Sequence, residues 1–288
     1  MVRAMVSKTS AVSPVSGVAS DAAFVAESRP NAGHGAEQAL GLGPSPSRVA
    51  RLAAAAAAVA LVQPGMTVGL GTGDTAAHAI RALAYNKLPG LRCVATSERS
   101  AVLARALGLA LLDLDDVFAA GARPIALTID GADEIDPQLQ LSKGGGGALL
   151  CEKLVAQASQ KLVVIVDEEK RVHALGEKRP LAIEVVRFGA RFTLDRIARL
   201  PPIRAATLRL QTGASAKDAG SHFVTDSGHF IVDATLDPSL MSGTGAQTLH
   251  AALKALPGVV ETGLFCHEAA VALVGRNDGS VDKLGGCG

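Results

Sequence analysis

Tryptophan is absent and aromatic residues make up only 3% of the chain. That scarcity argues against a platform on which nucleic-acid bases would stack. Charge of either sign is nearly balanced, at a net +1, so neither a polyanion nor a membrane surface is favoured electrostatically. Cysteine is sparse: Cys93, Cys151, Cys266 and Cys287 stand far apart and form no C-x-x-C pair. This is the usage of a reducing compartment without a structural zinc. Long apolar runs are missing too, since the alanine-rich run at 53–61 is too short to span a bilayer. What remains is a globular composition, 48% hydrophobic and 19% charged over 288 residues. That is enough for one large or two modest domains with real cores.

Residues 1–46 differ from the rest, being rich in Ser, Ala, Gly and Pro with no clear period. Their first 20 carry Arg3, Lys8 and five serines but no acid, as organellar transit peptides do. A disordered extension or an early start codon fits as well, and Asp21, Glu27 and Glu37 count against a long targeting signal. The expected compartment is the cytoplasm, or a plastid if this segment is a transit peptide.

From residue 48 onward, helical and strand patterns alternate. Helices are predicted at 48–62, 75–84, 98–107 and 148–158, and strands at 67–70, 91–95, 109–112, 125–129 and 162–166. Such alternation predicts α/β architecture with a doubly wound, mostly parallel, Rossmann-like sheet. After about residue 181 the pattern changes. Short strands are predicted at 183–186, 207–210, 223–225 and 230–234, with a turn at Asp226-Ser227-Gly228 and a helix at 249–256. This reads as a smaller α+β domain over 182–259, inserted between the two parts, 47–181 and 260–288, of the larger one. The apolar stretch within 261–275 would rejoin the first sheet.

Ligands of open parallel sheets bind beyond the carboxyl ends of the strands. Three loops fall there: GLGTGDTA at 69–76, DGADEID at 130–136 and KGGGG at 143–147. The first offers backbone N–H groups, a helix N-terminus and the hydroxyls of Thr72 and Thr75 to an anion. It also fits a loose dinucleotide pattern, although Thr96-Ser97 rather than an acid follows the next strand, and it could be a plain tight turn. The second gathers Asp130, Asp133, Glu134 and Asp136. Glu134 and Asp136 read as solvated loop acids. Several carboxylates together could hold a hard cation, but Lys143 and the glycines favour another arrangement. An amine beside Asp130 or Asp133 would hold them ionised, and the glycines would let backbone N–H groups approach a developing oxyanion. Glu152, five residues past the last glycine, could then act as a base. Together these groups suit proton transfer next to a carbonyl on a small phosphorylated compound.

The motifs VQPGMTVGLGTGDTAAH, TIDGADEID, LSKGGGGALLCEKLVA, VVIVDEEK, LAIEVVRFG, VTDSGHFIVD and VVETGLF resemble, in order and spacing, those of type A ribose-5-phosphate isomerases. The resemblance runs over about 48–279. It implies interconversion of D-ribose 5-phosphate and D-ribulose 5-phosphate through an enediol(ate), within the non-oxidative pentose phosphate pathway. It also implies no metal and no cofactor, a homodimer or homotetramer, and no nucleic-acid or membrane partner. By the same resemblance Glu152 would move the proton between C1 and C2. Asp130 would assist ring opening, and Asp133 and Lys143 would bind hydroxyls, Lys143 also stabilising enediolate charge. Thr72, Gly73, Asp74, Thr75, Gly131, Ala132, Gly144, Gly145 and Gly146 would line the sugar phosphate, with Arg51 and Lys178 as cations near the phosphate.

The chain departs from the family pattern at Asp74, where a serine is usual, and at Cys151, where an arginine is usual. A carboxylate beside a phosphate would repel it unless paired with a cation such as Arg51, so Asp74→Ser is expected to lower KM. Cys151 next to the base raises the idea of redox sensitivity beside simple packing. Cys266-His267-Glu268 invites a metal reading, but adjacent strand residues face opposite sides. A sugar-phosphate sensor would need a DNA-binding module that the first 45 residues do not suggest. An acyl-CoA transferase lacks this motif pairing. A catalytically impaired homologue would carry the departures while keeping Asp130, Asp133, Lys143 and Glu152.

Overall fold

The computed structural model describes residues 45–118, 124–211 and 221–285. The expected extension over 1–46 therefore lies outside the described residues except for Ser45 and Pro46, and Cys287 lies outside them too. Helix α1 (Pro46–Val59) begins on a proline at its first position, where the missing N–H costs nothing. Its buried face is all small, Ala50, Ala54, Ala55 and Ala58 with Val59, so the helix lies close on the sheet. Strand β1 (Thr67–Leu70) leads into α2 (Asp74–Asn86), and β2 (Arg92–Ala95) into α3 (Glu98–Ala106). Ser97 caps α3 by accepting the Ser100 N–H, as N-cap serines do. Then come β3 (Ile125–Asp130), the short β4 (Glu134–Ile135) and β5 (Leu141–Ser142), α4 (Leu149–Gln157) and β6 (Leu162–Asp167).

The smaller unit follows with β7 (Leu181–Val185), α5 (Ala190–Ala198), β8 (Ile203–Leu208), β9 (Phe230–Leu236), α6 (Gly245–Lys254) and β10 (Val259–Thr262). The chain then returns through β11 (Leu264–Phe265) to β12 (Ala269–Gly275) and β13 (Val281–Gly285).

The main sheet has six strands in the order β13-β12-β6-β3-β1-β2. All its pairings are parallel except β12 with β13. β6 is buried at every position, as a parallel strand covered on both faces must be, which is why it reads as a continuous Val/Ile/Leu run. The chain leaves β1 for β2 on one side, then returns to place β3 on the other. That reversal is the topological switch point, and the loops after β1 and β3 open into the same crevice.

An antiparallel sheet, β10-β7-β9-β8, carries α5 and α6 over a separate core built on Leu181, Ile183, Val232, Leu249 and Leu253. A third sheet, β11-β5-β4, links the carboxylate loop to the returning chain. The fold is thus the expected doubly wound α/β sheet with a smaller α+β unit. Two predicted strands shrink to single bridges, Cys93 with Leu111 and Val224 with Phe230. In the second case the chain before Val224 pairs with 209–211 instead, the Phe223 N–H donating to the Arg209 carbonyl while the Arg209 N–H donates to the Ile231 carbonyl. Helix α5 was not foreseen. Among the described residues no helix is long and apolar enough to cross a membrane.

Candidate active site

The loop after β1 is shaped by its neighbour. A side chain on Gly71 would run into the Asp130 carboxylate and backbone, so only glycine lets β1 and β3 end side by side. Gly73 has φ 113° and caps α2, a conformation that glycine adopts without strain. The Thr72 N–H donates to Asp130 Oδ1 at 3.1 Å. Its hydroxyl points away into a cluster with Thr96 Oγ1 at 2.8 Å and Ser97 Oγ at 2.7 Å. The two residues that stand where a dinucleotide site would carry its acid therefore brace the loop instead. Thr72 is a support, and Gly73, Asp74 and Thr75 present the helix N-terminus to the cleft.

The loops after β3 and β5 meet through Lys143. Its ammonium lies 3.0 Å from Asp130 Oδ2 and 3.2 Å from Glu152 Oε1, and it donates to the Gly131 carbonyl. Three oxygens thus surround its three N–H bonds. Lys143, Asp130 and Glu152 are 3%, 1% and 4% exposed. Asp130 Oδ1 is taken by the N–H groups of Thr72 and Gly131, so Asp130 sits under the cleft as the anchor of Lys143. Asp133 faces the cleft, and its Oδ2 accepts the Gly145 N–H at 2.7 Å.

Glu152 stands in the first turn of α4. Its Oε1 is held by Lys143, while Oε2 is buried without a partner among the described residues. Burial, with the Asp130 charge added, raises the Glu152 carboxyl above the ordinary range, and the Lys143 ammonium only partly opposes this. Burial alone would push Lys143 down, but the Asp130 and Glu152 carboxylates outweigh it and hold the amine protonated. A carboxylate with a raised pKa and one unclaimed oxygen has the properties of a general base.

A cleft of about 220 Å³ opens over these groups. Arg51, Thr72, Gly73, Asp74, Thr75, Gly131, Ala132, Asp133, Lys143, Gly144, Gly145, Gly146 and Glu152 line it, joined by Asp167 and Lys170. Lys178 is not brought there, and its expected place is corrected. Its ammonium donates to the Glu169 and Arg171 carbonyls at 2.6 and 3.0 Å. The cation that joins Arg51 and Lys143 in the cleft is Lys170, in the turn that follows β6.

Glu134 and Asp136 are corrected as well, since both are buried. Glu134 accepts the N–H groups of Gly176, Lys178 and Arg179, and Asp136 those of Gln138 and Gln140. They staple loops to the sheet. Asp74 does meet a cation, but it is Arg99 at 3.0 Å, both side chains being exposed. Burial raises the Cys151 thiol, the reverse of what a reactive thiolate needs. Among the described residues no group of three or more His, Cys, Asp or Glu side chains could hold a metal ion, Cys266-His267-Glu268 included.

Arg209, at the end of β8, is a support that the sequence did not flag. It grips Asp233 with two nitrogens and donates to the Gly144 and Gly145 carbonyls at 3.0 and 3.1 Å. The forked guanidinium suits this double task. Its signal was hidden because the partners are 64 and 65 residues away.

A carboxylate base beside a lysine, next to a helix N-terminus at the switch point of a doubly wound sheet, defines an acid–base enzyme of the α/β class for a small anionic substrate. Comparison with known proteins narrows this class. The family model for ribose 5-phosphate isomerase A (phosphoriboisomerase A) matches residues 92–279. Ribose-5-phosphate isomerase A of Parvibaculum lavamentivorans is 44% identical over 230 residues, covering 79% of this chain and 94% of that protein. The solved ribose 5-phosphate isomerase A of Methanocaldococcus jannaschii superposes with a TM-score of 0.71 at 33% identity, covering 82% of this chain and 97% of that one. A D-ribose-5-phosphate isomerase in complex with phospho-erythronic acid does so with a TM-score of 0.72 at 31% identity, over 82% and 97%. The chain belongs to the ribose-5-phosphate isomerase A family.

Proposed function

We propose that this chain interconverts D-ribose 5-phosphate and D-ribulose 5-phosphate, with Glu152 as the base that carries the proton between C2 and C1. The observation that carries the reading is the unclaimed Oε2 of Glu152, in a carboxylate whose other oxygen is locked on Lys143. Abstraction of the C2 proton leaves an enediolate and a protonated Glu152. Once neutral, Glu152 binds the Lys143 ammonium less strongly, which frees an N–H for the oxyanion as the charge appears there. A hydroxyl proton then passes from O2 to O1, and return of the carried proton to C1 completes the isomerisation and restores the ion pair. Asp133 receives substrate hydroxyls. Asp130, buried beneath the cleft and ion-paired with Lys143, acts through that lysine.

At the other end of the cleft, the N-terminus of α2 with Arg51 and Lys170 supplies positive potential for the phosphate. The reading includes the homodimer or homotetramer expected from the resemblance and a place in the pentose phosphate pathway. The test is turnover of ribose 5-phosphate by the purified chain in the presence of EDTA, alongside Glu152→Gln. Loss of a general base predicts a fall in kcat of about 10²–10⁴-fold with KM little changed. Wild-type protein that binds ribose 5-phosphate without turning it over would overturn the proposal in favour of a sensor or an impaired homologue.

A further inference from the structure

One group in the cleft has no task in that reaction. Asp167 ends β6, three residues beyond Val164, the register partner of Asp130 on β3, and pairs with Gly275 of β12. It lines the cleft, is 5% exposed, and its Oδ1 is buried without a hydrogen-bond partner among the described residues. It stands at the N-cap position of the following turn, yet its side chain makes no capping bond. An unpaired buried carboxylate is costly to fold, and in native proteins such a group calls for an explanation. Asp130, of the same residue type one strand away, differs in its charge partner: two N–H groups donate to its Oδ1, and its Oδ2, itself without a hydrogen bond, lies 3.0 Å from the Lys143 ammonium.

We infer that Asp167 accepts a hydrogen bond from the substrate hydroxyl next to the phosphate-bearing carbon, and thereby favours the open-chain sugar. This inference rests on the reaction proposed above. A carboxylate repels a phosphate, so its partner must be a neutral donor, which on a sugar phosphate is a hydroxyl. Asp167 also lies three residues before Lys170, which lines the same cleft and which the reading above assigns to the phosphate. The hydroxyl in reach is therefore on the carbon adjacent to the phosphate-bearing one, the C4 oxygen of a pentose 5-phosphate.

That oxygen changes its chemistry during the reaction. In the furanose it is the ring oxygen and carries no hydrogen. On opening, the C1–O4 bond breaks, the proton of the C1 hydroxyl leaves, and O4 gains a proton. Only the open chain can donate to Asp167. An acceptor placed there binds the reactive form and discriminates against the cyclic one.

The test uses two acyclic probes, 4-phospho-D-erythronate and its 3-deoxy analogue, which lacks the hydroxyl next to the phosphate-bearing carbon. Their Kd values are measured by calorimetry on wild type, Asp167→Ala and Asp167→Asn. A hydrogen bond to a charged acceptor predicts that wild type prefers the hydroxylated probe by about 10–100-fold. In Asp167→Ala the preference should fall to within about 2-fold of unity, with Asp167→Asn between. Because Asn removes a buried unpaired charge, its Tm should equal or exceed that of wild type. A preference in both variants above half the wild-type value overturns the inference, and so does a lower Tm for Asp167→Asn with the preference intact. Wild type that neither binds the probes nor turns over ribose 5-phosphate overturns the reaction itself. Wild type that isomerises normally while Asp167→Ala keeps its preference overturns the role of Asp167 alone.

Discussion

Replacing Glu152 with Gln should stabilise the protein while disabling it, and the gain should depend on pH in a defined way. Glu152 is 4% exposed, and burial holds its folded pKa above that of an unfolded glutamate. A group raised in this way contributes stability that is fully present below its unfolded pKa. That contribution is lost as pH rises through the folded pKa. Gln resembles the protonated form and does not titrate. The difference in unfolding free energy, variant minus wild type, should therefore grow with pH by up to about 1.4 kcal/mol per unit. The rise begins near the unfolded value of about 4.3 and levels off at the folded pKa.

Two pH units inside that window correspond to roughly 3 kcal/mol, or on the order of 10 °C in Tm for a chain of this size. Urea unfolding of both proteins at several pH values between about 5 and 9 would measure it. The pH at which the difference levels off should coincide with the acid limb of the wild-type kcat/KM profile, since both report the same carboxyl in the free enzyme. A difference that stays flat over this range would refute the reasoning, because Lys143 would then cancel the burial of Glu152 completely.

Two further expectations concern residues around the cleft. Asp74 is paired with Arg99, so Arg99→Ala should leave its carboxylate uncompensated and raise KM for ribose 5-phosphate. Adding Asp74→Ser should bring KM back toward the wild-type value, and the effect should shrink with added salt. An unchanged KM in Arg99→Ala would show that Asp74 exerts no repulsion. Arg209→Ala should lower kcat/KM by about 10²-fold through loss of glycine-loop geometry. Lysine should rescue it only in part for want of a fork, and activity within threefold of wild type would rule the clamp out.

Much of this molecule was written locally. The largely apolar runs at 125–129 and 162–166 marked buried parallel strands because a strand covered on both faces admits no polar alternation. Asp130, Asp133, Lys143 and Glu152 stood out because their order and spacing break local rules in the way functional sites do. Helix α5 was missed, its short amphipathic run lying between strands of the smaller unit.

Other assignments waited for tertiary structure, since each depends on where a side chain ends rather than on where it begins. Glu134 looked like a solvated acid until three N–H groups from 176–179 were seen to converge on it. Lys178 and Lys170 are both lysines in a plausible stretch, and only the path of the chain after β6 puts Lys170 in the cleft. Arg209 and Asp167 gave no local signal, one acting across 64 residues and the other marked only by the partner it lacks. The sequence by itself determined the periodicity of the elements and the chemical cast of the loops, because those follow from neighbours a few residues apart. The three-dimensional fold decided which charges are buried, which are paired and which are left free, because solvation and pairing are set by residues that are distant along the chain.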